Sequence, residues 1–563
     1  MSTAAEMFTA HEQMLKDATE AIRTREYYSA FNESPSPRVY GENAAAEGKA
    51  AFEAYAGSTF PVETPGADGT IATEKSPFGF DLDVSYPRVT PAGVEALVAA
   101  AGQGRKAFRD AGPDGRVGVC LEILHRLHQR IFELANAVQH TSGQAFVMAF
   151  QAGGAHALDR ALEAVAYSHV EMTRVPATVV WEKPAKGEPL RMEKTFTAVP
   201  RGLALVIGCN TFPTWNSYPG LFASLACGNP VIVKPHPRAV LPLAITVQVA
   251  QEVLAEASFD PNLVTLAAED PADGLAKVLA VRPEVKLIDY TGGNAFGRWL
   301  EDNARQAVVF TEKAGVNTVV LDSTGSFKGM CMNLAFSFAL YTGQMCTAPQ
   351  NVYLPSTGIS TDEGEKSVAD VAAGIEAAFG KLLGEDARAV ELLGGVVNDG
   401  VLSRLVEAPS RGKVLVESRA VKHPAYGDAV VRTPTLIGLT AEDTDAYQTE
   451  CFGPVAYLIE TAGTEESIEL FRRTVTEHGA MTASVYSTSA EVIEAVRDAA
   501  LDVGVALSEN LTGGVFVNQS SAFSDFHGTG ANPAANASYT DGAYVASRFR
   551  FVQSRRHVSP SAG

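Results

Sequence analysis

Residues 204–234 read ALVIGCNTFPTWNSYPGLFASLACGNPVIVK, which is a short apolar run, a helical stretch and a second apolar run. The alternation continues through LPLAITVQVAQEVLAEA, LVTLAA, DGLAKVLAV, VKLIDY and AFGRWLEDNA, as far as Ala304. Alternating strands and helices produce a parallel sheet with helices on its faces, because a connection between parallel strands crosses over through a helix. The sequence therefore predicts an α/β fold with a doubly wound sheet in this part of the chain.

A second series of apolar runs begins near Val308 and contains VVF, TVVLD, NVYLP, PVAYLIE and GVFVN. A long helix is predicted over residues 328–341. This pattern again favours strands alternating with helices, so we expect a second α/β domain.

The flanking segments have other patterns. Residues 1–75 are predicted to form a wrapping extension with little chemistry, and apolar spacing predicts helices over residues 92–172. Residues 175–200 are predicted to form a β-hairpin. Near the C-terminus, alternating Arg548-Phe549-Arg550-Phe551 indicates a strand over about 548–552, at a sheet edge or a subunit contact.

Composition narrows the classes of function. The formal charge of −20 disfavours nonspecific binding to nucleic acid, which needs a basic surface, and no apolar stretch has the length of a membrane span. Residues 1–28 lack the basic-then-apolar order of a signal peptide, so we expect a cytoplasmic protein. The six cysteines form no CxxC pair and have no histidine-rich neighbour, so the sequence predicts no metal site.

Two residues suggest covalent chemistry. Cys346, in GQMCTAPQNVYL, lies between a long apolar helix and a strand, where a loop can expose a sulfur beside backbone donors. A lone cysteine is, however, more often an inert core residue. Glu312, in FTEKAGVNTVVLD, ends a strand, and partial burial would raise its pKa toward that of a general base. The alternative for Glu312 is an ordinary solvated surface charge.

Several separated motifs together resemble the aldehyde dehydrogenases. VIVKPHP is similar to the family's Lys-Pro cofactor motif, DYTGGNAFG to its turn at a helix N-terminus, ECFGPV to its Glu-x-Phe-Gly-Pro motif and GQMCT to its catalytic-cysteine motif. The similarity covers roughly residues 85–550. The stretches GCNTFPTWNSYPGLFASLACGNPVIVKPHP and HTSGQAFVMAFQAGG further resemble the PaaN subfamily, which is named for phenylacetic acid degradation.

The resemblance implies an aldehyde dehydrogenase fold. Its expected parts are an N-terminal extension (1–75), a cofactor-binding domain (76–311) that includes the 175–200 oligomerisation hairpin, a catalytic domain (312–510), and a C-terminal return with an oligomerisation strand (511–563). A homodimer or a larger even homo-oligomer is expected on the same ground.

The resemblance also implies roles for single residues. Cys346 attacks the aldehyde carbon, and Glu312 activates the water that hydrolyses the resulting thioester. The residues expected to bind the nicotinamide cofactor are Lys234, His236, Arg238, Gly292, Gly293, Gly297, Glu450 and Phe452. The glycines would allow the pyrophosphate to approach the backbone closely.

Two departures from the family pattern leave alternatives open. Many NAD-preferring members have a glutamate three residues after the cofactor lysine, where this chain has Pro237 between His236 and Arg238, so NADP and NAD are both candidates. The oxyanion donor is open as well. Motif register favours Thr211, whereas the chemistry of an amide favours Asn210.

The sequence thus predicts NAD(P)-dependent oxidation of an aldehyde to a carboxylic acid. The resemblance to the PaaN subfamily implies a small-molecule aldehyde substrate, namely the ring-opened semialdehyde CoA thioester of aerobic phenylacetate degradation. Two alternatives stay open: a CoA-acylating aldehyde dehydrogenase, and a catalytically silent binding protein with the dehydrogenase fold. Glu312 favours hydrolysis over transfer to CoA, and the joint presence of Cys346, Glu312, Lys234 and Glu450 argues against a silent protein.

Overall fold

A computed structural model describes residues 2–558. The first part of the chain contains helices and two hairpins: α1 (Ala4–Thr24), α2 (Pro37–Tyr40), α3 (Ala44–Glu53), β1 (Ser58–Thr59), β2 (Ala67–Ile71), β3 (Val84–Val89), α4 (Val94–Gln103), α5 (Arg105–Asp110), α6 (Gly112–Gln129), α7 (Ile131–Ser142), α8 (Phe146–Phe150), α9 (Ala157–Thr173), β4 (Thr178–Lys183) and β5 (Leu190–Pro200). A π-helical turn, Gln151–His156, joins α8 to α9.

The first large sheet has five parallel strands in the order β10-β9-β6-β7-β8. Its elements are β6 (Leu203–Ile207), α10 (Pro213–Ala226), β7 (Val231–Lys234), α11 (Leu241–Glu256), β8 (Val264–Leu266), α12 (Leu275–Ala280), β9 (Val285–Thr291), α13 (Asn294–Asn303) and β10 (Val308–Glu312). The strand order changes direction between β6 and β9. Such a switch point opens a crevice at the carboxyl ends of the strands, where ligands bind in open α/β sheets.

The second large sheet has seven strands in the order β16-β19-β20-β13-β11-β21-β22, all parallel except the edge strand β16. The elements of this half are β11 (Thr318–Leu321), β12 (Ser323–Thr324), α14 (Phe327–Ala339), β13 (Asn351–Pro355), β14 (Ile359–Thr361), β15 (Gly364–Lys366), α15 (Val368–Leu383), α16 (Asp386–Ala389), α17 (Asp399–Glu407), β16 (Lys413–Val416), β17 (Ala420–Val421), β18 (Val431–Arg432), β19 (Thr435–Thr440), α18 (Thr444–Tyr447), β20 (Val455–Thr461), α19 (Thr464–His478), β21 (Ala483–Tyr486), α20 (Ala490–Val503), β22 (Leu507–Glu509), α21 (Gly542–Ala546) and β23 (Phe549–His557). Its two faces are covered by separate apolar cores.

Two strand predictions are wrong. The run VVF near Val308 was assigned to the second series, but it forms β10, which pairs with β9 and completes the first sheet. The run GVFVN is not a strand. Side-chain contacts fix this segment instead, because Phe516 stacks on Phe336 and the Asn518 amide donates to the Ser337 carbonyl at 3.0 Å.

The predicted C-terminal strand pairs with the hairpin. β23 runs antiparallel to β5, which in turn pairs with β4, so the three strands form one antiparallel sheet. β23 lies at an edge of this sheet, as predicted. The side chain of Arg548, the residue directly before β23, does not extend from that edge. It is fully buried within the chain and pairs with Asp289 at 2.7 Å, because an unpaired buried guanidinium would be costly.

The long helix is shorter than expected and ends in a strained turn. α14 stops at Ala339, and both Tyr341 (φ 52°) and Thr342 (φ 56°) have left-handed backbone conformations. Non-glycine residues adopt these only where neighbours hold them. Within residues 2–558, no helix combines the length and the apolar character needed to cross a membrane.

Candidate active site

Cys346 lies three residues after Gly343, where this strained turn ends. Three contacts hold the turn in place. The Tyr341 hydroxyl donates to the Ser142 carbonyl, and the Thr342 hydroxyl donates to the Gly394 carbonyl at 2.8 Å. Gly343 lies against the Phe-Gly-Pro motif, where a Cβ would come within 2.5 Å of the Gly453 carbonyl oxygen. The segment that leads to the catalytic-cysteine motif is therefore in direct contact with the Glu-x-Phe-Gly-Pro motif, although the two are far apart along the sequence.

Cys346 lies where two cavities meet. The first cavity, about 510 Å³, opens toward the N-terminal segment and the C-terminal loop, and we call it the substrate cavity. The second, about 550 Å³, follows the carboxyl ends of the first sheet, and we call it the cofactor cavity. Phe212, Asn216 and Cys346 line both cavities. A group on the cysteine sulfur is thus accessible from two sides.

Glu312, at the end of β10, is buried beside the cysteine. Its Oε2 accepts a hydrogen bond from the Asn216 amide at 2.9 Å. Its Oε1 lies 3.1 Å from Nε2 of His527, a close contact that does not have the angle of a hydrogen bond. Because the Glu312 carboxylate is buried, its charge is stabilised by Asn216 and His527. No sequence motif indicated either residue.

His527 is the residue that sequence reasoning missed. Its Nε2 lies 3.7 Å from the Cys346 sulfur, although 181 residues separate the two along the chain. The ring packs edge-on against Trp215, with centroids 4.6 Å apart. The C-terminal segment is predicted to be a return and an oligomerisation strand, and His527 brings it to Cys346 as well.

A buried arginine fixes the loop that carries His527. Arg160, on α9, donates to the Ser520 hydroxyl at 2.7 Å and to the Asp525 carbonyl at 2.9 Å. Its guanidinium also lies over the Trp215 ring, and its charge is balanced by Glu163 at 2.9 Å. Charge-assisted bonds of this kind hold geometry better than neutral bonds, so the loop enters the site in one defined position.

The ionisation of the centre differs from expectation. Burial, followed by the adjacent Glu312 charge, raises the pKa of Cys346 well above its ordinary value. Burial also raises the pKa of Glu312, but attraction to His527 and the hydrogen bonds from its neighbours outweigh burial and leave that pKa below its ordinary value. The prediction that burial would raise the Glu312 pKa is therefore wrong, because sequence alone could not supply its partners.

The cofactor cavity has the features that a dinucleotide needs. The N-terminus of α13 begins at its edge, and a Cβ built on Gly293 would meet no atom within 4 Å, which leaves an open cradle for a phosphate. Of the expected cofactor residues, the cavity is lined by Lys234, His236, Gly292, Gly293, Glu450 and Phe452. The residues present therefore fit a nicotinamide dinucleotide.

Two expected cofactor residues lie elsewhere. Arg238 is exposed and directs its guanidinium to the Val397 carbonyl at 3.4 Å, outside the cavity lining. Gly297 lies under the Lys313 side chain, where a Cβ would come within 2.6 Å, so it serves helix packing. The cavity also contains Asn398 and Arg404, which the sequence gave no reason to select.

Charges along the cofactor cavity are largely compensated. Lys234 pairs with buried Glu269. Burial, and then the charges of Lys234 and Arg238, lower the pKa of His236 to about 4. Burial raises the pKa of Glu450 to about 7, opposed by the nearby charge of Arg404.

The two expected oxyanion donors are both engaged away from the cysteine. The Asn210 amide donates to the Thr141 carbonyl at 2.9 Å. The Thr211 hydroxyl lies 3.8 Å from the sulfur of Cys209. Asn216 instead presents its amide to Glu312, beside Cys346. The pair Trp215-Asn216 has the same two residues as the Trp-Asn of the family's Pro-Trp-Asn-Phe-Pro motif, but Asn216 lies five residues after Thr211, the position that motif register favours. The Trp-Asn pair is therefore a sequence signal that could have identified Asn216 as a candidate donor.

The substrate cavity is built from segments that are far apart in sequence. The N-terminal extension contributes Tyr27, Tyr28, Ser29 and Glu33, so it is not the chemically silent wrap that we expected. The π-helical turn and the C-terminal loop supply most of the opposite wall. Among the described residues that line it, the ionisable side chains are Tyr27, Tyr28, Glu33, His156, Asp159, Cys346, Glu391 and His527, with neither lysine nor arginine.

Comparison with known proteins assigns the class that this fold and site define. The family model named aldehyde dehydrogenase family matches residues 67–529, and the chain therefore belongs to the aldehyde dehydrogenase family. The predicted fold class and enzyme family are confirmed.

Individual relatives refine this picture. The crystal structure of an NAD-dependent aldehyde dehydrogenase from Burkholderia multivorans is 56% identical, with 99% of each chain covered and a TM-score of 0.96. A 1-pyrroline-5-carboxylate dehydrogenase from Thermus with bound NAD shares the fold at 20% identity, over 95% of this chain and 99% of that chain, with a TM-score of 0.74.

Among curated proteins, the 3,4-dehydroadipyl-CoA semialdehyde dehydrogenase of Aromatoleum evansii is 25% identical over 55% of this chain and 62% of the relative. The matches to this dehydrogenase and to two further curated relatives span 53% to 62% of the lengths of those relatives.

Proposed function

We propose that this protein oxidises an aldehyde to a carboxylic acid with a nicotinamide dinucleotide, through a thiohemiacetal and then a thioester on Cys346. The observation that carries the proposal is the position of Cys346, with Glu312 and His527, at the junction of the two cavities. An aldehyde can enter from one side while the hydride acceptor lies on the other.

The cofactor cavity would hold the dinucleotide through four groups. Lys234 would contact the adenosine ribose, Gly293 and the α13 N-terminus the pyrophosphate, and Glu450 the nicotinamide ribose hydroxyls. A dinucleotide held by these residues would supply the hydride acceptor for oxidation of the carbon attached to the Cys346 sulfur.

The first step for the protein is removal of the thiol proton. Because the pKa of Cys346 is raised, the resting sulfur is protonated and needs a base. Nε2 of His527, 3.7 Å from the sulfur, is placed to accept that proton, and Oε1 of Glu312, 3.1 Å from the same nitrogen, stabilises the charged ring. The thiolate then attacks the carbonyl carbon.

The developing oxyanion needs donors. An amide has two N–H groups, and Asn216 uses one of them on Glu312, which leaves the other for the substrate oxygen. We propose Asn216 with the Cys346 backbone N–H as the pair of donors, in place of Thr211 or Asn210.

Hydrolysis of the thioester needs a base near the acyl carbon. Glu312 and His527 together would orient one water and take its proton, since both groups face the sulfur. Their presence favours release of an acid over transfer of the acyl group to CoA.

We propose the ring-opened semialdehyde CoA thioester as the substrate and the PaaN subfamily as the closer relationship. The similarity to a CoA-semialdehyde dehydrogenase supports this class. The acidic and neutral lining suits the acyl chain and the uncharged pantetheine arm, so the CoA phosphates would lie outside the substrate cavity.

We propose NAD as the preferred cofactor. A 2′-phosphate needs an uncompensated positive charge, whereas Lys234 is paired with Glu269 and Arg238 lies outside the lining of the cofactor cavity. With its pKa lowered to about 4, His236 is neutral near pH 7.

For cellular context we propose a cytoplasmic homo-oligomer. The sheet of β4, β5 and β23 exposes Val179, Val180 and Val552, and such apolar groups favour contact with a second copy. Light scattering on purified protein tests the assembly.

A steady-state assay with purified enzyme tests the function. It compares the semialdehyde CoA thioester with its free acid and with phenylacetaldehyde, each with NAD and with NADP. We expect kcat/KM to be highest for the thioester with NAD. Equal rates for all aldehydes would remove the substrate proposal, and a preference for NADP would remove the cofactor proposal.

A further inference from the structure

The three groups around the reacting centre also have the composition of a metal site. The Cys346 sulfur, Nε2 of His527 and a Glu312 carboxylate oxygen all lie within 4.8 Å of one another. A thiolate, an imidazole and a carboxylate are the ligands that Zn²⁺ accepts, whereas Mg²⁺ and Ca²⁺ prefer sets of oxygen atoms. We propose that this cluster binds one Zn²⁺ ion, which reversibly blocks the cysteine.

The distances fit tetrahedral coordination. Bonds of about 2.3 Å to sulfur and about 2.0–2.1 Å to nitrogen and oxygen place the ligand atoms roughly 3.3–3.6 Å apart. The structure has 3.7 Å between the Cys346 sulfur and His527, and 3.1 Å between His527 and Glu312. These two distances are within a few tenths of an ångström of the tetrahedral values, and the Cys346 sulfur and the Glu312 oxygen lie within 4.8 Å of each other.

A second observation points to a ligand at this place. Glu312 is 1% exposed, and its Oε1 has no hydrogen-bond partner among the described residues. The other oxygen is fixed by the Asn216 amide at 2.9 Å, the kind of outer contact that orients a metal ligand. A buried carboxylate oxygen without a donor gains more from a cation than an exposed one does, because water does not compete for it.

The site is also open for entry and for a fourth ligand. Cys346 is accessible from both cavities, His527 from the substrate cavity and Glu312 from the cofactor cavity. Three protein ligands and one open position are characteristic of accessible zinc sites, where water completes the tetrahedron. Binding replaces the Cys346 thiol proton, which is released to solvent, and no electron is transferred.

The consequence is inhibition by the metal. A zinc-bound thiolate cannot attack an aldehyde, and both bases of the centre are occupied at the same time. The sequence could not indicate this site, because its ligands come from three distant segments and form no spacing motif.

The experiment uses the full chain, treated with EDTA and free of cofactor and aldehyde. Zn²⁺ is titrated by calorimetry, and Co²⁺ serves as a spectroscopic probe on the wild-type protein. We expect one Zn²⁺ per chain, thiolate-to-cobalt absorption with four-coordinate visible bands, and protection of Cys346 from iodoacetamide that EDTA reverses. Mg²⁺ should give no protection.

Variants locate the site. Cys346→Ala and His527→Gln should each weaken Zn²⁺ binding at least tenfold, and Asn216→Ala by about tenfold through loss of carboxylate orientation. His125→Ala, which removes an exposed histidine of α6 that is not part of the cluster, should leave the affinity unchanged.

Cobalt spectra without a thiolate band, or alkylation of Cys346 unaffected by Zn²⁺, would overturn the proposal. Because metal binding is measured without aldehyde, its failure is distinguishable from failure of the proposed oxidation, which is measured with EDTA present.

Discussion

The cofactor and substrate cavities share Cys346 but are built in opposite ways. Most of the cofactor cavity comes from the ends of consecutive strands and from short motifs such as VIVKPHP and ECFGPV. The substrate cavity takes its walls from the first 33 residues, the π-helical turn and the loop near residue 520. A shared sheet edge fixes one cavity, whereas contacts between distant segments fix the other. Most of the cofactor cavity can therefore be predicted from local sequence, whereas the substrate cavity is defined only by the complete fold.

The largest effect should come from the residue that both cavities share. Cys346→Ala removes the nucleophile, so aldehyde-dependent NADH formation should decrease by roughly 10³-fold or more, while NAD binding stays near that of the wild type. Stopped-flow absorbance and fluorescence titration measure the two. Cys331→Ala, at a buried core position on α14, is the control and should stay active. Turnover above a tenth of the wild-type rate would show that Cys346 is not the nucleophile.

Glu312→Gln should separate the two halves of the reaction. The amide cannot act as a base, so thioester hydrolysis should slow by about 10²–10⁴-fold after the first turnover. Rapid mixing should therefore detect one NADH per active site, followed by slow steady-state formation. If no burst is seen, Glu312 acts before hydride transfer, in removal of the thiol proton together with His527.

The next prediction concerns the oxyanion donor Asn216, which lies where the two cavities join. Asn216→Ala should reduce the acylation rate by about 10²-fold, the usual cost of one oxyanion donor. Thr211→Val should have less than a threefold effect, since its hydroxyl faces Cys209. Single-turnover rates at saturating NAD measure both variants. The reverse order of effects would return the donor role to Thr211 and support the motif register.

On the cofactor side, pH gives a distinct signature. The pKa of Glu450 is raised to about 7 by burial, so its carboxylate is charged only above that pH. An ionised carboxylate accepts ribose hydroxyls better, so KM for NAD should decrease by about tenfold from pH 6 to pH 8. Glu450→Gln should have a high KM that does not change with pH. An unchanged pH dependence in this variant would exclude Glu450 as the titrating group.

The smallest effect is expected on the substrate side. Asp159 accepts hydrogen bonds from the Ser29 hydroxyl at 2.7 Å and the Ala30 N–H at 2.9 Å, which hold the N-terminal segment over the cavity. Asp159→Ala should raise KM for the aldehyde about 3- to 10-fold, consistent with loss of about 1 kcal/mol, and leave KM for NAD unchanged. Asp114→Ala, an exposed partner of His169, is the matched control. Equal changes in both KM values would mean general loosening of the fold.

The sequence by itself determined the α/β fold and the family, and it selected Cys346 as the proposed nucleophile. Periodic apolar runs specify strands and helices locally, and Cys346, Glu312 and Lys234 lie in short motifs whose order is visible along the chain. The cofactor cavity follows from the same information, because parallel strands bring their carboxyl ends to one edge.

Only the tertiary structure decided what surrounds the nucleophile. His527 reaches Cys346 across 181 residues, and Arg160 fixes the loop that brings it there. The ionisation of Glu312 depends on His527 and Asn216, so burial alone predicted the wrong direction for its pKa. Side-chain direction likewise decided that Arg238 lies outside the cofactor cavity. These properties arise from distances between segments that are remote in sequence, and a local pattern contains no record of such distances.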